Sequence, residues 1–381
     1  MAEKAESVTS TGASIVDNRF LREVFAAKGI CSGCGACVTV CQILGNKVLK
    51  FDSVKGALSL DVSEEQCRQC GLCYAVCPRK NYLGKAAHKP METESYIGNY
   101  RRFEIIRARS PEIREQSGDS GFIPAFLKSL MDNNYIDGAI VSTLQQNWAV
   151  NQKVTHTSDE LLHSLGTKYA ISPSIVFIEK IRGEQLAHQY PGYNDKRYAL
   201  IGQPCMVTAI SNMRKYNLEV ARKIRLTIGL FCFESLNYTE ITSKLESKTG
   251  TKIESWERVD QKGKFLVQVK GQQTPLEVPL KDFGGIVRES CRVCLDLTNL
   301  DADIAAGSMG APQGYSSVLI RTKAGEDAMK VALRGNLLEG IPEIGPNAKG
   351  VYDKTLKTIT SVARKKCCTV NLQRWEELTK M

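Results

Sequence analysis

CSGCGACVTVC (residues 31–41) returns as CRQCGLCYAVC (residues 67–77), and this doubled run decides how the chain begins to fold. Both copies read C-x2-C-x2-C-x3-C, with Gly35 matched by Gly71 and Val40 by Val76. Three thiolates at this spacing can wrap three irons of one cubane, while the fourth cysteine of each run points to the other cluster. The spacing therefore predicts one [4Fe-4S] centre on Cys31, Cys34, Cys37 and Cys77, and a second on Cys67, Cys70, Cys73 and Cys41. Gly33, Gly35 and Gly71 suit the tight turns that aim backbone amides at cluster sulfur. Pro78 follows the second run, whereas Gln42 stands in the corresponding place after the first, a change that removes no ligand. Zinc also takes thiolates, but its sites pair two CxxC units around one tetrahedral ion, which a triple run with a distant fourth cysteine does not match.

The surrounding chain has 381 residues, 43% hydrophobic and 24% charged, which is ordinary for a globular protein and long enough for two or three domains. No apolar run approaches the ~20 residues that span a bilayer. The opening MAEKAESVTSTGASIVDN is polar and lacks the apolar stretch of a secretory signal. These features predict a cytoplasmic protein with no membrane span, for which the 14 cysteines imply metal or redox chemistry rather than disulfides. The net charge of +10 is unevenly placed: residues 346–381 hold eight Lys or Arg against three acidic residues, and residues 101–114 hold five Arg against two Glu. No nucleic-acid motif or basic stripe with interleaved aromatics accompanies this charge, so a nucleic-acid partner is not expected. A basic docking face, or simply a solvated one, accounts for it.

Four stretches follow from composition and pattern. Residues 1–28 read as a flexible tail and short helix, 29–85 as the two-[4Fe-4S] ferredoxin-like domain, and 86–100 as a polar connector. Residues 101–381 read as a mixed α/β core ending in a basic extension. Helices are expected at IPAFLKSLMDNN (123–134) and MVTAISNMRKYN (206–217), and strands at DGAIVSTL (137–144), RYALIG (197–202), IRLTIGLFCF (224–233) and SSVLIRT (316–322). The fold class is α+β, with the ferredoxin-like domain in front of the core.

Six cysteines lie in the core. Cys205 follows a strand in LIGQPC, and Cys232 ends an apolar run; either alone is most often a small buried hydrophobe. With the CxxC of Cys291 and Cys294 they make a four-thiolate set that suits zinc or iron–sulfur equally. Cys367 and Cys368 are adjacent, awkward as joint ligands, and are read as non-ligands. His88, His156, His163 and His188 have no ligand spacing.

SGFIPAFLKSLMDNNYIDGAIVS (120–142), GTKYAISPS (166–174), IGQPC (201–205), GLFC (229–232), CRVCLD (291–296), DADIAAGSMG (301–310) and SSVLIRTKAG (316–325) together resemble the family of beta subunits of the coenzyme F420-reducing hydrogenases. With a dicluster ferredoxin in front, the chain is most similar to the branch formed by the F subunits of archaeal F420H2 dehydrogenases, enzymes of methanogenesis. The resemblance implies FAD and a third [4Fe-4S] cluster in the core, with Cys205, Cys232, Cys291 and Cys294 as its ligands. It implies coenzyme F420 as substrate, and as partners the subunits of a membrane-bound dehydrogenase complex or a soluble acceptor such as ferredoxin. Ser120-Gly121 replaces a Gly-Gly step common in the family, and Pro124 a common threonine.

The implied chemistry is oxidation of reduced F420, a hydride donor, with the electrons passed singly to iron–sulfur clusters; a flavin converts between the two. The same chemistry in reverse, or a different substrate within the family, are the alternatives. Ser120 and Gly121 before a helix, Lys168, and the turn of Gly307, Ser308 and Gly310 are the expected flavin contacts. Arg288, Arg292 and Arg321 are candidates for the anionic tail of F420. No GxGxxG occurs, which speaks against an NAD-linked reading. Without a membrane span, docking on a membrane complex would be peripheral.

Overall fold

The computed structural model describes residues 29–45, 48–52, 57–59, 67–80, 96–117, 119–145, 148, 150–162, 196–261, 264–341 and 348–369. The repeated cysteine runs each lead into a helix. These are α1 (Ala36–Ile43) after Gly35, and α2 (Leu72–Ala75) after Gly71, both capped by a glycine in the left-handed region at φ 81° and 69°. Between them β1 (Lys50–Asp52) and β2 (Ala57–Ser59) form an antiparallel ribbon.

The core starts with β3 (Arg102–Ala108), then α3 (Pro111–Ser117), α4 (Phe122–Asp132), β4 (Gly138–Leu144), β5 (Val150–Thr155) and α5 (Ser158–Leu162). It continues through β6 (Tyr198–Gly202), α6 (Pro204–Lys215), α7 (Glu219–Arg222) and β7 (Ile224–Leu230). A small unit follows, made of α8 (Tyr238–Thr249) and the antiparallel strands β8 (Trp256–Gln261), β9 (Lys264–Val269) and β10 (Leu276–Pro279). It closes its own core around Phe265, Val267, Trp256 and Phe283. The chain then returns through α9 (Glu289–Arg292), β11 (Ile304–Gly307), β12 (Ser316–Ile320), α10 (Lys323–Arg334), β13 (Leu338–Gly340) and α11 (Ala348–Thr369).

Eight strands form one mixed sheet in the order β13-β3-β12-β11-β7-β6-β4-β5. Its centre, β11-β7-β6-β4, is parallel, and the flanking pairs are antiparallel. β6 and β12 are buried along their whole length, which is why YALIG and the VLI of β12 do not alternate apolar with polar, while the hydroxyls of Ser316 and Ser317 are hydrogen-bonded inside. The helices and strands expected in the core are present, the tail and short helix expected in residues 1–28 lie outside the described residues, and β7 stops at Leu230, so Cys232 lies in the loop beyond the strand.

Helices cover both faces. On one, Phe122, Phe126, Leu127 and Leu130 of α4 pack with Met329 and Ala332 of α10; each large side chain so buried stabilises the fold by about 1.5–3 kcal/mol. On the other, Met206, Val207, Ala209, Ile210 and Met213 of α6 share one apolar cluster with Cys34, Ala36, Val40 and Val76 of the cysteine-run segment. That shared cluster seats the two halves together. Asn212 strengthens the seat, its buried amide donating towards the carbonyls of Val76 and Cys77 at 3.4 and 3.3 Å.

Candidate metal centres

The two cysteine runs have the same local build. The amide of Gly33 donates to Cys31 Sγ, and that of Gln69 to Cys67 Sγ, each at 3.4 Å. Gln69 holds the left-handed conformation (φ 50°) that Gly33 adopts in the first run (φ 69°). The charge environment of the thiols divides the eight into two sets. Cys34 faces Cys77 and Cys31, and Cys37 faces Cys31, Cys34, Cys77 and, more weakly, Cys73. Cys73 in turn faces Cys70, Cys67 and Cys41. The fourth cysteine of each run thus joins the other run's trio. Burial first, then these neighbours, push the thiol of Cys34 up to about 12, that of Cys77 to about 12, and that of Cys73 to about 11.

The core foursome is assembled by the sheet. β6 and β7 are parallel neighbours, so their carboxyl ends lie side by side, the usual place for a site in an open α/β sheet. Cys205 sits in the first turn of α6, behind Pro204, and Cys232 lies just past β7. Asn299 ties the two strand ends, its buried amide reaching the carbonyls of Gly202 and Leu230 at 3.0 and 3.4 Å. Cys291 lies in α9 and Cys294 just after it, and the amide of Ser235 donates to Cys291 Sγ at 3.3 Å. Cys232 and Cys205 each feel Cys291 and Cys294, so the four expected thiols are brought together. Cys205 also faces Cys34, which puts the core set next to the first ferredoxin set. Burial above all, with those neighbours, lifts Cys205 to about 12.

Two cations that sequence reading did not single out enter this region. Arg79, directly after Pro78, is buried and donates to the carbonyl of Ser290 at 2.7 Å; its charge lies near Cys77 on one side and near Cys205 and Cys294 on the other. Lys366 is only 3% exposed and donates to the carbonyls of Cys232 and Asp296 at 2.6 and 2.7 Å. Burial opposes ionisation of Cys294, yet Lys366 and Arg79 outweigh it and hold that thiol below its ordinary value. The only sequence signal for Lys366 was its place in the basic run RKKCC, read as surface; the structure corrects this part of the C-terminal extension, since Lys366 points inward. Cys367, on the same turn, donates to the carbonyl of Leu295 at 3.5 Å, and Cys368 is exposed.

Most residues expected to hold flavin or the F420 tail are otherwise engaged. Ser120 is buried, its hydroxyl 2.6 Å from that of Ser316 and accepting from the Phe122 amide. A Cβ on Gly121 would meet Ala108 and Ile113 at 3.0 Å, one on Gly307 would meet Phe231 at 2.6 Å, and one on Gly310 would meet the carbonyl of Thr355 at 2.8 Å. On their Cβ side these turns pack against the chain's own atoms; of the five residues, Ser308 is exposed. Arg321 donates to the carbonyls of Asn99, Ile97 and Thr298 within the fold. Arg288 reaches across to the carbonyl of Cys31, and Arg292 pairs with Glu289. Lys168 lies outside the described residues.

The thiol sets do fit iron–sulfur clusters. Crowded, buried thiols resist ionisation one by one, and a polynuclear cation among them removes that penalty. The set of Cys41, Cys67, Cys70 and Cys73 lines a hollow of about 460 Å³, open solvent included, walled also by Val40, Leu44, Val48 and Leu49. Among the described residues no three His, Cys, Asp or Glu side chains are gathered tightly enough for one metal ion. Ligands to a cubane bond separate irons and stand wider apart than that.

Comparison with known proteins agrees with this organisation. Residues 30–81 match the 4Fe-4S dicluster domain. Residues 105–179 and 195–343 match the "Coenzyme F420 hydrogenase/dehydrogenase, beta subunit" N-term and C terminus families. The F subunit of the Methanosarcina mazei F420H2 dehydrogenase is 30% identical over 305 residues, 78% of this chain and 80% of that one. The coenzyme F420-dependent sulfite reductase of Methanocaldococcus jannaschii is 32% identical over 318 residues, 78% of this chain but 45% of its own length. A chain of the F420-reducing [NiFe] hydrogenase complex from Methanosarcina barkeri superposes with a TM-score of 0.61 at 28% identity, covering 72% of this chain and 94% of that one. A dicluster ferredoxin segment on a mixed-sheet core defines an iron–sulfur oxidoreductase. The chain belongs to the family of coenzyme F420 hydrogenase/dehydrogenase beta subunits, whose named members include F420-dependent oxidoreductases and components of F420-related complexes.

Proposed function

We propose that this chain oxidises reduced coenzyme F420 and delivers the electrons singly to a partner through three thiol-held [4Fe-4S] centres. The observation that carries the reading is the order in which the thiol sets neighbour one another. The core set lies within electrostatic reach of the first ferredoxin set through Cys205 and Cys34, and that set within reach of the second through Cys37 and Cys73. Cys205, Cys232, Cys291 and Cys294 would hold the core centre, Cys31, Cys34, Cys37 and Cys77 the middle one, and Cys41, Cys67, Cys70 and Cys73 the outer one. Bound there, such clusters supply one-electron carriers, and the family reading adds a flavin as the exchange between hydride and single electrons.

The protein's own residues order the route. The apolar cluster around α6 keeps water from the junction of core and middle sets, and Asn212 and Arg79 fix that junction. Cys70 is exposed, so the outer set faces a partner. A membrane-bound complex or a soluble acceptor fits this role. Among the described residues no helix is long and apolar enough to cross a membrane. No flavin contact is assigned among those residues.

The test is an anoxic assay of the iron-loaded protein with F420H2, added FAD and an artificial one-electron acceptor, followed by deazaflavin absorbance. Flavin-dependent oxidation is expected. Iron-replete, flavin-replete protein that leaves F420H2 untouched would overturn the reading. The relation to the sulfite reductase supports a second reading, in which the same electrons reduce a small oxidised substrate. Sulfite-dependent F420H2 oxidation would identify it.

A further inference from the structure

Helix α11 lies beyond the residues matched by the family domains, which end at 343, yet it reaches the core thiols. Ile359 and Ala363 are fully buried against Ile97 and Leu297, and the hydroxyl of Thr355 donates to the Gly310 carbonyl at 3.0 Å. One turn on from Ala363, the side chain of Lys366 passes inward and its ammonium spans two carbonyls. One belongs to Cys232, a member of the core foursome, and the other to Asp296, two residues past Cys294. The helix therefore carries a buried cation to the one thiol set that is assembled from distant parts of the chain.

We propose that Lys366 is the built-in counter-charge of the core thiol set, favouring assembly of the [4Fe-4S] centre there and making its one-electron reduction easier. The inference rests on the assignment of that set under the proposed function. A [4Fe-4S] centre on four thiolates is already anionic. Each F420H2 oxidised to F420 releases two electrons and two protons, and every single electron taken up adds one negative charge among those thiolates. A fixed ammonium at this position offsets the added charge, and burial strengthens the effect because little water screens it. The outer set is surrounded differently: the cation in the wall of its hollow, Arg68, is exposed and screened by water. Lys366 thus makes the core centre the favoured electron sink, with its effect greatest at that centre.

The experiment compares iron-loaded wild type with Lys366→Gln, Lys366→Met and Lys366→Arg, by iron content, circular dichroism and EPR-monitored redox titration. Glutamine keeps a donor for the carbonyls and removes the charge; arginine keeps the charge. With all three clusters present, reduction of the core centre should become at least tenfold less favourable in the Gln and Met variants, 59 mV for one electron, with arginine restoring most of it. The two ferredoxin midpoints should move less. Loss of the core cluster in the Gln and Met variants, with retention in the Arg variant, also supports the proposal, since charge is then what assembly needs. An unchanged core midpoint, or loss of the cluster in Lys366→Arg as well, would overturn it and leave α11 a packing strap. Wild type that binds only the two ferredoxin clusters would instead refute the four-thiol assignment on which the proposal stands.

Discussion

The ferredoxin segment and the core foursome solve the same problem, holding four thiols together, in opposite ways. In the segment, the ligands come from two short runs, and local backbone geometry places them: left-handed glycine caps at Gly35 and Gly71, and amides aimed at Cys31 and Cys67. In the core, the candidate ligands come from the first turn of α6, the loop past β7, and α9 with the residues just after it, and strand order brings the first two together. The local solution leaves its outermost member, Cys70, exposed and suited to electron exit. In the assembled set Cys294 is buried and the other three are half-buried, and two buried cations, Arg79 and Lys366, lie beside it. Arg79 serves both sets, since it also lies near Cys77, whereas Lys366 reaches the core set from a helix far along the chain.

Cys294→Ala is the strongest test of this contrast. It should remove about four irons per chain, the content of one cubane, and stop electron transfer from F420H2 to a one-electron acceptor, while leaving the EPR signals of the ferredoxin centres. Loss of all iron would mean the two halves do not assemble independently. Cys70→Ala should act at the exit. Delivery to the partner is lost while the core centre is still reduced by F420H2, as rapid-mixing EPR would record. Loss of core reduction in that variant would reverse the proposed order.

Gly229→Ala addresses the sheet that gathers the core set. An added Cβ would run into the side chain of Asn299, which ties β6 to β7, so a loss of about 1–3 kcal/mol is expected by denaturant unfolding. A neutral result would show that the strand ends are not rigidly tied. The smallest effect is expected at Gln69→Gly. Gln69 holds the conformation that glycine occupies in the first run, and relieving it should stabilise the segment by about 1 kcal/mol. No gain would mean that the side chain of Gln69 compensates locally.

How much of this was legible in the sequence divides along the same line. The grouping of the eight ferredoxin thiols followed from spacing alone, and β6 and β12 followed from apolar runs. The core four could be named as candidates, but zinc and iron–sulfur suited them equally until the family motifs were considered. Ser120, Gly121, Gly307 and Gly310 read as small-residue turns, but the neighbours they pack beside, Ser316, Ile113, Phe231 and Thr355, were not legible. Arg321 looked like an anion site and holds backbone carbonyls. Glycines needed for close packing and glycines needed for ligand approach have the same one-letter code.

Over a few residues the covalent chain itself limits where side chains can point, so C-x2-C-x2-C-x3-C determines its ligands wherever it folds. Between Cys205, Cys232, Cys294 and Lys366 the chain imposes no such limit. Their meeting depends on β6 and β7 pairing in parallel, and on α11 lying across the ends of the loops that follow. Those are properties of strand order and packing, and only the folded molecule could decide that a basic run at the C-terminus brings its charge inside.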